Sequence, residues 1–197
     1  LPKKYSGDLV VDEKYVKIVD GKNFKQINIK NFNEVRKLVN KFKPIEIYYL
    51  AAFHNSSEDK LMNMGDLLKK SYDVNVFSFI NFLEAVRLHS PSTKVFYASS
   101  CLIFGNSERK TQNEETPYLP NNAYGITKTD GLLIGRLYRN DFKLFVATGI
   151  LYNHESVLRP KKFLSMKIVD AVKKIKYGKG GKTNIRRINI RNTRRAV

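Results

Sequence analysis

Apolar residues along this chain recur with two periods. Ile45-Glu46-Ile47-Tyr48-Tyr49-Leu50-Ala51-Ala52, Val95-Phe96-Tyr97-Ala98 and Leu144 to Ile150 are short, nearly continuous apolar runs. That is the pattern of strands buried in a parallel sheet. Between them the spacing turns helical. Val35, Leu38, Val39 and Phe42 share one face over Glu34 to Phe42, with Asn31 or Asn33 as the cap and Pro44 as the stop. A helix pair is expected over about Lys60 to His89, with Val76, Phe79, Ile80, Leu83, Ala85 and Val86 at its apolar positions. Another helix carries Tyr124 and runs to about Arg139, and an amphipathic one covers Phe163 to Ile175. Residues 1–23 are polar and weakly patterned, although Tyr15 to Val19 alternates as a strand would, and Gln26 to Ile29 is another short strand candidate. Residues 105–122, rich in Asn, Pro, Thr and Glu, read as a loop. Strands alternating with helices predict an α/β fold with a doubly wound parallel sheet. The strands near 46–52, 94–99 and 144–150 are expected to lie side by side in it.

The net charge of +18 in 197 residues raises the possibility of nucleic-acid binding. Its distribution argues against a dedicated surface. The excess is concentrated after Ser156, where Asp170 is the only acid. Such a run binds polyanions without specificity, and it lacks the interleaved aromatics that stack single-stranded bases. No apolar run approaches the roughly 20 residues of a membrane span. Cys101 is the only cysteine, so no internal disulfide forms, which fits a cytoplasmic setting. No metal site is expected.

Candidate chemistry gathers between Lys94 and Lys128. Ser99 and Ser100 follow the apolar run where its strand should end, and ligands of open α/β sheets bind at the carboxyl ends of strands. Tyr124 and Lys128 lie four apart and share a helix face. An ammonium beside a phenol favours the phenolate, so the Tyr124 pKa is expected to be lowered. A hydroxyl, an activated phenol and a lysine form a proton-transfer set for a carbinol or carbonyl. Tyr-x-x-x-Lys alone is equally an exposed helix with a half-buried tyrosine. Its weight comes from the order strand, Ser-Ser, loop, Tyr-x-x-x-Lys.

Those residues resemble the extended short-chain dehydrogenase/reductase superfamily, and within it the GDP-mannose 4,6-dehydratase-like sugar-nucleotide enzymes. The matching blocks are Tyr97-Ala98-Ser99-Ser100, Phe104-Gly105, Glu115-Thr116-Pro117, Tyr124-Gly125-Ile126-Thr127-Lys128 and Gly149-Ile150-Leu151-Tyr152-Asn153-His154-Glu155-Ser156. The likeness covers about Asn28 to Lys176. It implies a Rossmann-type sheet and a lyase that oxidises carbon 4 of a GDP-sugar transiently with bound NADP, or NAD. It further implies catalysis by Ser100, Tyr124 and Lys128. Asn28 and Ile29 would lie beside the adenine; Leu50, Ala51, Ala52, Tyr124, Lys128, His154 and Arg159 would complete the cofactor site. His54, Asn55 and Asn153 would contact the nucleotide-sugar substrate. A homo-oligomer is implied, with no membrane and no specific nucleic acid as partner.

One departure bears on the reaction. The dehydratases carry Glu two positions after the catalytic hydroxyl, to handle the proton at carbon 5 and the water lost from carbon 6. Here Ser100-Cys101-Leu102 puts a leucine there. Oxidation at carbon 4 survives that change, whereas an epimerase or reductase of the same superfamily becomes the alternative. A basic polyanion- or RNA-binding protein is the second alternative. The family's glycine-rich pyrophosphate loop is not found near the start, so residues 1–176 are expected to form a partial NAD(P)-binding domain that lacks its first, central strand. Its neighbours would then face water or repack, cofactor binding would be weak or absent, and the chain as it stands would not turn over. Residues 177–197, where the likeness ends, are expected to form a basic, disordered tail.

Overall fold

The computed structural model describes residues 9–11, 16–18, 23–25, 27–55, 61–107, 111–156 and 163–177. They fall into two compact units, Leu1–Leu151 and Tyr152–Val197. In the first unit, β1 (Leu9–Val11), β2 (Val16–Ile18), β3 (Asn23–Lys25), β4 (Glu46–Tyr49), β5 (Lys94–Ser100) and β6 (Val146–Leu151) form one sheet in the order β3-β2-β1-β4-β5-β6. β1, β4, β5 and β6 run parallel, and β2 and β3 fold back antiparallel beside β1. The three strands expected to be parallel neighbours are so, in a Rossmann-type arrangement. β4 does not face water on its other side, as expected for a chain without its first strand. Leu9–Val11 pairs with Ile47–Tyr49 and occupies that position. The polar start of the chain hid a strand only three residues long. Gln26 to Ile29 is not a strand: Gln26 lies outside the described residues, and from Ile27 the chain enters a turn in which Asn31 N–H donates to Asn28 O.

Helix α1 (Phe32–Phe42) starts at Asn31, whose side chain accepts from the Asn33 and Glu34 amides, and ends at Lys43 in the left-handed region with Pro44 behind it. Helix α2 (Met64–Tyr72), a π-helical turn (Asp73–Phe77) and α3 (Ser78–His89) follow without a break. The wide turn redirects carbonyls that an α-helix would keep for itself. Ser78 Oγ donates to Asp73 O, Tyr49 Oη to Val74 O and Tyr97 Oη to Asn75 O. A short 3-10 turn (Cys101–Phe104) leaves β5, and helix α4 (Ala123–Phe142) returns over the sheet.

The runs in β4 and β5 read as buried on both faces, but they alternate. Ile47, Tyr49, Val95, Tyr97 and Val146 join one core with Val35, Leu38 and Val39 of α1 and Phe79, Phe82, Leu83 and Val86 of α3. Tyr48 and Phe145 are exposed and Phe96 is half-buried. The helices of this unit that share the core lie on one face, so alternate side chains of the strands remain open. Gly131 lets α4 approach β5, because a Cβ there would overlap the Tyr97 hydroxyl.

In the second unit, α5 (Leu164–Lys176) has no buried residue, and Leu164, Ile168, Val172 and Ile175 are exposed. Residues 178–197, nearly all of the expected tail, lie outside the described residues. Among the described residues no helix is long and apolar enough to cross a membrane.

Candidate functional site

The candidate site forms where β5 ends against the first two turns of α4. Asn122 caps α4 by accepting the Gly125 amide at 2.8 Å, and Gly125 lies so close to the 3-10 turn that a Cβ would strike the Leu102 carbonyl. That contact fixes Tyr124 and Lys128 beside the end of the strand. Ser99 Oγ donates to Lys128 O at 3.2 Å, Lys128 Nζ donates to Ala98 O at 2.8 Å, and Ser100 Oγ accepts the Leu102 amide at 3.3 Å. Lys128 Nζ lies 5.6 Å from the Tyr124 ring centroid and 4.9 Å from that of Tyr97. Tyr124 and Lys128 share a face, as their spacing requires.

The electrostatics differ from expectation. Tyr124 is not acidified: burial pushes its phenol up to about 12, and the neighbouring Cys101 adds to the rise. Burial also pulls the Lys128 ammonium down to about 7. Spacing four apart implies attraction between ammonium and phenolate. However, the lysine is committed to a backbone carbonyl, and desolvation disfavours both charged forms.

His54, in the segment after β4, meets Tyr124 edge-on, with ring centroids 4.8 Å apart and planes at 89°. A clamp that periodicity does not predict holds that segment. Asn75, wholly buried in the π turn, accepts the Phe53 amide at 2.8 Å, donates to Phe53 O at 3.3 Å and donates to Thr127 Oγ1 at 2.9 Å. One amide therefore ties the His54 segment to the helix carrying Tyr124 and Lys128. The available signal was a polar residue set between Val74 and Val76 in an apolar helix.

The remaining expected site residues are spread more widely. Leu50 is exposed, Ala51 buried, and Ala52 and Asn55 half-buried after β4. Asn28 is exposed, its Oδ1 accepting the Lys30 amide at 3.1 Å and its own N–H donating to Glu34 at 2.9 Å. Ile29 does not present a side chain to a ligand: it is 3% exposed and packed in the core, and its carbonyl accepts from Asn81. Asn153 and His154 belong to the second unit and are exposed, with His154 Nδ1 donating to Tyr152 O at 3.0 Å. Arg159 lies outside the described residues. The strand ends suit a flat ring such as nicotinamide, since Ala51 and Ala52 add nothing beyond a Cβ and Lys128 approaches from α4. Among the described residues no glycine-rich turn offers a cradle for a pyrophosphate.

The family model described as GDP-mannose 4,6 dehydratase matches residues 8–195. The GDP-mannose 4,6 dehydratase of Drosophila melanogaster is 32% identical over 141 residues, covering 71% of this chain and 34% of that protein. The human enzyme of the same name is 33% identical over 144 residues, covering 72% of this chain and 37% of its own length. The chain thus spans little more than a third of the length of the curated relatives it matches. Among solved structures, RMD from Pseudomonas aeruginosa complexed with NADPH superposes with a TM-score of 0.70 at 16% identity, over 80% of this chain and 52% of that one. That likeness speaks for the fold.

Proposed function

The chain belongs to the GDP-mannose 4,6-dehydratase family, and from that premise we propose that it is the core of an enzyme acting on a GDP-sugar of the GDP-mannose type. What supports this reading is that Lys128 of α4 donates to Ala98 O near the end of β5 and lies beside Tyr124, with Ser100 closing the same strand and His54 against Tyr124. Ser100 Oγ polarises the oxygen at carbon 4 of the sugar, and Tyr124 exchanges that oxygen's proton. Lys128, held by Ala98 O, lies beside the Tyr124 ring and would hold the nicotinamide ribose when the cofactor is bound. NADP, when bound, would take up and return a hydride; Ala51, Ala52, Tyr124 and Lys128 would hold its reactive end and Asn28 its base. His54 and Asn55 would line the sugar side.

Leu102 favours a second reading, an epimerase or reductase of the same superfamily, because an aliphatic side chain moves no proton. Incubating the protein expressed from its complete coding sequence with GDP-mannose and NADP tests both. A 4-keto-6-deoxy sugar is expected. A product that keeps its carbon 6 hydroxyl would decide for the second reading, and unchanged GDP-mannose would refute the first.

A further inference from the structure

A lysine only 1% exposed must find in the protein what water would otherwise give its charge. Among the described residues Lys128 Nζ meets Ala98 O at 2.8 Å and two ring faces, with the Tyr97 centroid at 4.9 Å and that of Tyr124 at 5.6 Å. No carboxylate among them pairs with it. Both rings lie within the roughly 6 Å over which the negative face of an aromatic ring attracts an ammonium. Burial pulls the Lys128 pKa down to about 7, so near neutrality the amine is protonated only part of the time. A modest preference for the charged form then decides how much ammonium is present, and a desolvated ring face supplies one. The other titratable groups act at one remove. Cys101 and His54 face Tyr124, and Asp130 acts on Tyr97 while accepting from Tyr72 Oη at 2.7 Å.

Tyr97, the nearer ring, is fixed on every side. It is fully buried, stacked on Tyr49 at 6.0 Å and 20°, and packed on Phe79 at 4.3 Å. Its Oη donates to Asn75 O in the π turn at 3.1 Å. Gly131, one turn after Lys128, lets α4 close on this ring, so the lysine reaches across its face. Tyr97 and Ala98 are consecutive in β5, so one dipeptide supplies both the ring and the carbonyl. Resting on the enzyme reading above, we propose that Tyr97 is a positioning residue: its fixed ring face holds the Lys128 ammonium beside Ala98 O, where it serves the ribose of a nicotinamide cofactor and Tyr124.

The test uses the protein expressed from its complete coding sequence. Without cofactor, the Lys128 pKa is read from its side-chain resonances in lysine-labelled protein, assigned with Lys128→Met. Tyr97→Phe keeps the ring face and is the reference. Phenylalanine bearing one, two and then three fluorines at position 97 drains that face with almost no change in size. The Lys128 pKa should fall at each step, by about one pH unit over the series, because the charged form loses its partner. Carbon 4 oxidation of GDP-mannose is read from reduced nicotinamide in a single turnover. The NADP concentration for half-maximal oxidation should rise about tenfold over the series at pH 8, where ammonium is the minor form, and much less at pH 6. A Lys128 pKa that stays fixed, or an NADP requirement that rises equally at both pH values, would assign the ring to packing and overturn the proposal. So would a falling pKa with an unchanged NADP requirement. Wild-type protein that never reduces NADP on GDP-mannose would refute the enzyme reading instead, and the titration, which needs no substrate, tells the two failures apart.

Discussion

Asn75 and Thr127 lie 52 residues apart and are joined by a 2.9 Å hydrogen bond from the Asn75 amide to Thr127 Oγ1. The same side chain holds both backbone polar groups of Phe53. Replacing it leaves three polar partners without their bond in a part-buried setting. Asn75→Ala should destabilise the protein by about 2–4 kcal/mol, since each buried group left unsatisfied costs roughly 1–3 kcal/mol. Chemical denaturation measures this, and a loss under about 0.5 kcal/mol, the range of an ordinary surface change, would show that the clamp bears no strain.

Gly131 and Tyr97 make a second coupled pair. A Cβ at Gly131 would overlap the Tyr97 hydroxyl, which donates to Asn75 O at 3.1 Å in the core. Gly131→Ala is expected to cost about 1–3 kcal/mol, as overpacking of a filled core does. In a Tyr97→Phe background the same substitution should cost less, because the nearest obstructing atom is gone, although the ring carbon that bore it still crowds the site. A double-mutant cycle with strictly additive terms would rule out this explanation.

Stability should respond to alkali in two steps of opposite sign. Lys128 has a folded pKa pulled down to about 7, so between there and its ordinary value in the unfolded chain the unfolded state binds more protons, and stability rises with pH. Tyr124 has a folded pKa pushed up to about 12, so above the usual tyrosine value the folded state binds more protons, and its contribution is lost as pH rises. Lys128→Met should abolish the rising limb and stabilise the protein most below neutrality. Denaturant midpoints taken from pH 6 to 10 would show no rise if the lysine kept its ordinary pKa in the fold.

Tyr124→Phe and Ser100→Ala separate chemistry from packing. Phenylalanine keeps the ring that meets His54 and Lys128, so thermal stability should hardly change. In the protein expressed from its complete coding sequence, kcat should fall by about 10²–10⁴ for Tyr124→Phe, the usual worth of a positioned acid or base. A variant that turns over at the wild-type rate would remove Tyr124 from the proton path.

Much of this protein was legible in its sequence, because the relevant information is local. A run such as Val95-Phe96-Tyr97-Ala98 announces a strand, Asn31 and Pro44 bracket a helix, and Tyr124 and Lys128 share a face by spacing alone. The parallel order of β4, β5 and β6 follows from helices alternating with those runs. Tertiary structure decided what depends on distant neighbours. Leu9–Val11 became a strand because β4 had an open edge to pair with, not because its own three residues demand it. Tyr48 and Phe96 stayed partly open because the helices of their unit joined the core on the other face. The sign of the Tyr124 shift was set by desolvation, which spacing along a helix does not encode. Asn75 and His54 gained their places beside Tyr124 only when a π turn, the end of a strand and a helix came together, contacts that lie 22 to 70 residues apart in the chain.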